Sequence, residues 1–168
     1  MGLSLISEQK KLGKLLVETA SKKRKKIAIA ESCTGGLISS IVTSVPGSSK
    51  IFDQGLVTYS NKSKINLLGV QQTTLDSYGA VSKEVVEEMV RGLFKISDAN
   101  LALSISGVAG PGNFSKQKPE GLVWIGYGLD SGILNTIKLN LPPNGRDYVR
   151  QKSSIESLKL LLQLLDLG

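Results

Sequence analysis

The chain of 168 residues contains no histidine and a single cysteine, Cys33. Without histidine, every Ser-His-Asp and Cys-His mechanism is excluded. One thiol cannot supply the ligands of a usual zinc site either, so the reading expects no metal and no organic cofactor. Any catalysis must run on Ser, Thr, Tyr, Cys, Lys, Arg or carboxylate groups. A lone cysteine forms no intramolecular disulfide, which suits a reducing compartment. No apolar run approaches the ~20 residues of a membrane span, and the first residues lack the apolar core and small-residue cleavage site of a secretory leader. These absences predict a cytoplasmic protein with no membrane partner. Aromatic residues make up only 5% of the chain.

What is present is an ordinary globular mixture, 40% hydrophobic and 21% charged, with 18 glycines. The length predicts one domain, residues 1–168, able to bury roughly 70% of its unfolded surface without staples. The formal net charge is +7. Much of it sits in Lys22, Lys23, Arg24, Lys25 and Lys26, where cations complement the end of a predicted helix. No aromatic residue is interleaved with that run, so nucleic acid is not the expected partner.

Apolar spacing predicts a helix over residues 3–22 and a buried strand at Ile27–Ala30. A short helix follows from about Gly35 to Ser44, then a strand at Gly55–Tyr59. Asn61 is a candidate cap for a helix ending at Gly69. Ser82 caps a helix running to about Ile96, with Glu84 and Glu87 suited to its start. Strands are expected at Leu101–Ser106, Leu122–Leu129 and Ile133–Leu141, the last two joined by a hairpin at Asp130-Ser131-Gly132, and a final helix from Arg146 to Leu165. The order predicts a three-layer α/β/α fold with a mostly parallel mixed sheet of about five strands and one antiparallel member.

Ligands of open α/β sheets bind beyond the carboxyl ends of the strands. Three such ends carry reactive or glycine-rich residues. In Glu31-Ser32-Cys33-Thr34-Gly35-Gly36, a hydroxyl and a thiol precede a helix start whose amides, from Thr34 to Gly36, could stabilise an oxyanion. The bland alternative is that Ser32 or Thr34 merely caps the helix. In Tyr59-Ser60-Asn61-Lys62-Ser63-Lys64, a desolvated lysine could act as base in place of histidine, with Tyr59 relaying a proton or orienting it. Lys62 and Lys64 are both candidates. Lys64 lies one turn beyond Ser60 and Asn61 and leads into Ile65, Leu67 and Leu68, which favours its burial. In Gly107-Val108-Ala109-Gly110-Pro111-Gly112, the glycines could cradle an anion or form a structural turn. Arg146 opens the last helix with Arg150 one turn on, a pair suited to phosphate or to ion pairing with Asp147 or Glu156.

Together these segments carry a resemblance. ESCTGG at residues 31–36, VPGSS at 45–49, YSNKSK at 59–64, LLGV at 67–70, GAVS at 79–82, GVAGP at 107–111, KPEGLVWIG at 118–126 and GRDYVR at 145–150 resemble the CinA C-terminal domain family, competence/damage-inducible proteins whose stand-alone members are nicotinamide-nucleotide amidases. The resemblance implies an α/β/α fold and hydrolysis of nicotinamide mononucleotide to nicotinic acid mononucleotide and ammonia. It implies Ser32 as nucleophile and Lys64, not Lys62, as its base. Thr34, Gly35, Gly36, Asn61, Gly107, Ala109, Gly110 and Arg146 would bind substrate or oxyanion. The expected partners are a small nucleotide substrate and further copies of the chain, as a dimer or larger. One departure stands out: relatives usually read GPGGGT or GPTGGT where this chain has Gly110-Pro111-Gly112-Asn113-Phe114-Ser115. Two other readings remain open: Cys33 as nucleophile with Lys64 and Glu31, and a regulatory, nucleic-acid-binding role supported by the basic run alone.

Overall fold

A computed structural model describes residues 2–168. Its elements are α1 (Gly2–Lys23), β1 (Ile27–Glu31), α2 (Leu37–Thr43), β2 (Phe52–Val57), α3 (Asn61–Leu68), α4 (Gln72–Tyr78), α5 (Lys83–Ile96), β3 (Leu101–Gly107), β4 (Leu122–Leu129), β5 (Leu134–Asn140) and α6 (Arg146–Leu167). The five strands form one sheet in the order β2-β1-β3-β4-β5. β1 pairs in parallel with β2 and β3, while β4 runs antiparallel to both β3 and β5. β4 is thus the single reversed strand, although the pairings divide evenly between parallel and antiparallel.

The layers follow from strand alternation. Ile27 and Ile29 of β1 point to one face and join a core with Leu16, Leu158 and Leu161 of α1 and α6. Ala28 and Ala30 point to the other and pack with Leu68, Val85 and Met89 of α3 and α5. The small alanines let α5 lie close to the sheet. Gly92 serves the same purpose between helices, because a Cβ there would collide with the Leu68 carbonyl. The burial of β1 and β3 on both faces agrees with the near-continuous apolar runs of parallel strands.

Several local expectations are corrected. Ser60, not Asn61, caps α3: its hydroxyl accepts from the Ser63 amide at 3.0 Å. β2 begins at Phe52, earlier than the run Gly55–Tyr59 suggests, because its sheet-edge position tolerates Asp53 and Gln54. α4 has no counterpart among the expected elements; Leu75 is its one buried residue, too little to set a helical pattern. Part of the basic run is used structurally. Lys23 donates to the Leu165 carbonyl near the end of α6, and Lys26 pairs with Asp53 at 3.5 Å. Among the described residues, no helix is long and apolar enough to cross a membrane.

Candidate functional site

The site begins with Glu31, the last residue of β1 and wholly buried. Its carboxylate accepts from the amides of Gly36 and Ile38, each at 3.1 Å, and from the amide and hydroxyl of Ser39 at 2.8 and 2.7 Å. An anion at a helix N-terminus satisfies donors that have no partner within the helix. Glu31 therefore performs the capping that the sequence alone allowed to Ser32 or Thr34. It is also committed to that task rather than to a Cys-Lys-Glu set.

Ser32 follows at the head of the turn, 8% exposed. Its amide donates to the Ile105 carbonyl of β3 at 3.0 Å, which fixes the turn against the neighbouring strand. Its hydroxyl accepts from the Lys64 ammonium at 3.1 Å. Lys64 lies one turn inside α3 and is wholly buried, whereas Lys62 is exposed. The Lys64 Nζ also donates to the carbonyls of Thr58 at 2.6 Å and Tyr59 at 3.4 Å. No carboxylate pairs with it among the described residues. Burial disfavours its charged form and lowers its pKa from 10.5 to about 8. The donor count suits a base. An ammonium has three protons for three acceptors. After one is lost, two remain for the two carbonyls, and the lone pair faces Ser32.

Cys33 behaves differently. It is buried, and desolvation pushes its thiol up to about 12. It therefore stays a thiol at neutral pH, and the thiol is a poor nucleophile. Thr34 is wholly buried; its carbonyl accepts from Arg150 at 2.9 Å, while its hydroxyl and that of Thr58 have no hydrogen-bond partner among the described residues. The glycines Gly35 and Gly36 take left-handed backbone angles, φ 60° and 92°, that other residues resist. Their amides are already engaged, Gly35 with the Ser32 carbonyl at 3.0 Å and Gly36 with Glu31.

These residues open onto a cleft of about 560 Å³ at the ends of β1 and β3 and the start of α6. Asn61, Gly107, Ala109 and Gly110 line it, as do Tyr59 and Arg146. Gly107 must lack a side chain, since a Cβ would meet the Leu122 carbonyl and Val123 of β4. Arg146 spans the mouth, donating to the Gly110 carbonyl and to the Tyr59 phenol, both at 2.9 Å. The Tyr59 phenol is thus held by Arg146, and Tyr59 meets Lys64 through its backbone carbonyl. Arg150 pairs with Asp147 at 3.8 Å and points its other nitrogen to Thr34.

Comparison with known proteins decides the family. The model of the CinA C-terminal domain matches residues 9–165. The chain belongs to the CinA C-terminal domain family. It is 43% identical to the nicotinamide-nucleotide amidohydrolase PncC of Enterobacter agglomerans, over 92% of this chain and 96% of that one. It is 44% identical to a CinA-like protein of Endomicrobium trichonymphae, over 91% of this chain but 34% of the relative. The chain spans about a third of the length of several curated relatives it matches. The crystal structure of the competence/damage inducible protein CihA from Agrobacterium tumefaciens superposes with a TM-score of 0.91 at 34% identity, covering 94% of this chain and 95% of that one.

Within this CinA domain, the divergent loop at Gly112–Ser115 is held by a residue the sequence reading overlooked. The Glu120 carboxylate accepts from the Gly112 amide at 2.9 Å and from the Gly145 amide, at the head of α6, at 3.1 Å. The Asn113 side chain accepts from the Glu120 amide at 2.9 Å. Glu120 so joins the glycine loop to the start of α6. It also occupies the Gly112 amide, one of those expected to cradle an anion. Among the described residues, no cluster of three or more His, Cys, Asp or Glu could hold a metal ion.

Proposed function

We propose that this chain hydrolyses the carboxamide of nicotinamide mononucleotide to nicotinic acid mononucleotide and ammonia, with Ser32 as nucleophile and Lys64 as base. The observation that carries the chemistry is the 3.1 Å contact between the Ser32 hydroxyl and a buried lysine that has no acidic partner among the described residues. The substrate is carried over from the similarity to the Enterobacter agglomerans amidohydrolase.

Neutral Lys64 takes the Ser32 proton as Oγ bonds to the carboxamide carbon. The oxyanion meets the amides of Cys33 and Thr34, since those of Gly35 and Gly36 are engaged in the turn. Protonated Lys64 gives its proton to the departing nitrogen, the C–N bond breaks, ammonia leaves, and an ester on Ser32 remains. Water then attacks the ester while Lys64 takes its proton, and the returning proton restores the Ser32 hydroxyl. Among the described residues Arg146 has neutral hydrogen-bond partners and no carboxylate, so its charge is open to the nucleotide phosphate.

The test is ammonia release from nicotinamide mononucleotide by the wild-type chain, Ser32→Ala and Cys33→Ala. Ser32→Ala should abolish release without changing the unfolding transition, and Cys33→Ala should retain most of it. An inactive Cys33→Ala beside an active Ser32→Ala would transfer the nucleophile to the thiol. A wild-type chain that releases no ammonia from this substrate would refute the reading.

A further inference from the structure

The chain has three Phe, four Tyr and one Trp. Five of these eight, Phe52, Phe94, Trp124, Tyr127 and Tyr148, are partly buried. The other three, Tyr59, Tyr78 and Phe114, are 60%, 52% and 80% exposed. Two of the three, Tyr59 and Phe114, line the cleft beside Ser32. Exposed apolar rings concentrated at a cleft mark a ligand-facing surface.

Phe114 is the most exposed of them, yet its backbone is fixed. Its amide donates to the Lys118 carbonyl at 3.0 Å, and Ser115 and Lys118 form an antiparallel bridge. Asn113 before it is tied to Glu120, which anchors the loop to the head of α6. A pinned turn therefore presents an apolar ring to water at the edge of the cleft, an arrangement that costs hydration free energy until something covers the ring.

The charges around the cleft say what covers it. Its lining carries the cations Lys64 and Arg146 and, among the described residues, no Asp or Glu. The nucleotide proposed above bears charges of both signs. Its phosphate is an anion, which Arg146 can meet. Its nicotinamide ring is quaternised by the ribose and is a pyridinium cation, for which the lining offers no carboxylate. The nearest carboxylate, Glu120, is spent on the amides of Gly112 and Gly145, whereas the face of an aromatic ring at the cleft offers negative potential without such a duty.

We propose that Phe114 is a specificity-determining residue that lays its ring face against the pyridinium of the substrate, so that the cleft selects the cationic ring over its neutral, reduced counterpart. This rests on the nicotinamide-nucleotide reading of the site. It gives the Asn113-Phe114 departure from the relatives' glycines a chemical purpose.

The experiment measures calorimetric binding of nicotinamide mononucleotide and of its dihydro form, which has the same ribose and phosphate on an uncharged ring. The proteins are Ser32→Ala, which prevents turnover, and the same chain with Phe114→Leu or Phe114→Tyr added. Phe114→Leu keeps apolar bulk and removes the π face. It should weaken the cationic ligand by about five- to thirty-fold, leave the dihydro ligand within about twofold, and Phe114→Tyr should keep the preference. Equal losses for both ligands, no loss at all, or a change confined to sedimentation would overturn the assignment, the last by making Phe114 a contact between copies. Wild-type ammonia release, measured alongside, separates the two claims. Release with no Phe114 effect overturns the assignment alone, whereas failure of the mononucleotide to bind at all overturns the functional reading with it.

Discussion

Lys64→Met should raise stability at neutral pH and lose that advantage in alkali. In the folded chain the Lys64 pKa lies at about 8 against 10.5 for the free group, because burial disfavours its charge. The unfolded chain therefore binds this proton more tightly. Below about pH 8 both states are protonated and the full cost of the buried charge is present; it fades as pH rises from about 8 to 10.5. At about 1.4 kcal/mol per pH unit, that gap costs the wild type about 3 kcal/mol at neutral pH. Methionine removes the charge but leaves the Thr58 and Tyr59 carbonyls without their donor, a loss of about 1 kcal/mol each. The variant should be more stable by about 1 kcal/mol near neutrality and less stable by about 2 kcal/mol in strong alkali. In a chain of this length the swing corresponds to roughly 6–12 °C in Tm difference. Urea or thermal unfolding of both proteins across this range measures it directly, since other titrating groups cancel in the difference. A stability difference that stays constant with pH would refute the reasoning. Turnover provides the companion check: Lys64→Met should be inactive, and wild-type activity should rise with pH through about 8 as the amine becomes neutral.

Two further predictions follow from the site's hydrogen bonds. Glu31→Ala strips the start of α2 of its buried acceptor and should cost about 3 kcal/mol or more in urea unfolding at neutral pH; a cost below about 1 kcal/mol would mean water replaces the carboxylate. Arg146→Ala should raise KM for nicotinamide mononucleotide at least tenfold, on the order expected for a lost charge-assisted contact, while KM for nicotinamide riboside barely moves, and equal increases for both would remove Arg146 from phosphate recognition.

The elements legible in the sequence are those with strong periodicity or obvious caps. The runs at Ile27–Ala30 and Leu101–Ser106 became the doubly buried strands β1 and β3, and Ser82 caps α5 as its position suggests, accepting from the Val85 amide at 3.4 Å. The Asp130-Ser131-Gly132 turn joins β4 to β5. What escaped were elements whose reasons lie elsewhere in the chain. α4 buries Leu75 alone and depends on Glu88 of α5, which accepts from Gln71 and Thr74 at 2.7 and 2.6 Å. Glu120 reads as a loop glutamate, because its partners lie 8 and 25 residues away.

The same distinction governs the site. From the sequence, Ser32 could be either a nucleophile or a helix cap, since one hydroxyl ahead of a glycine turn suits both roles. Counting the donors of α2 removes the second of these roles. Three amides and a hydroxyl at its start go to Glu31, which leaves the Ser32 hydroxyl without a capping duty. Its partner is Lys64 instead. Lys64 in turn owes its burial to α3, which begins one turn earlier at the Ser60 cap and directs the lysine inward while Lys62 faces water. A carboxylate that looked like the end of a strand thus relieves the serine of capping, and the Ser60 cap, one residue before the expected Asn61, sets the register that buries Lys64. The burial of Lys64 is legible in the apolar residues that follow it, whereas the duty of Glu31 is not, because it depends on where α2 starts.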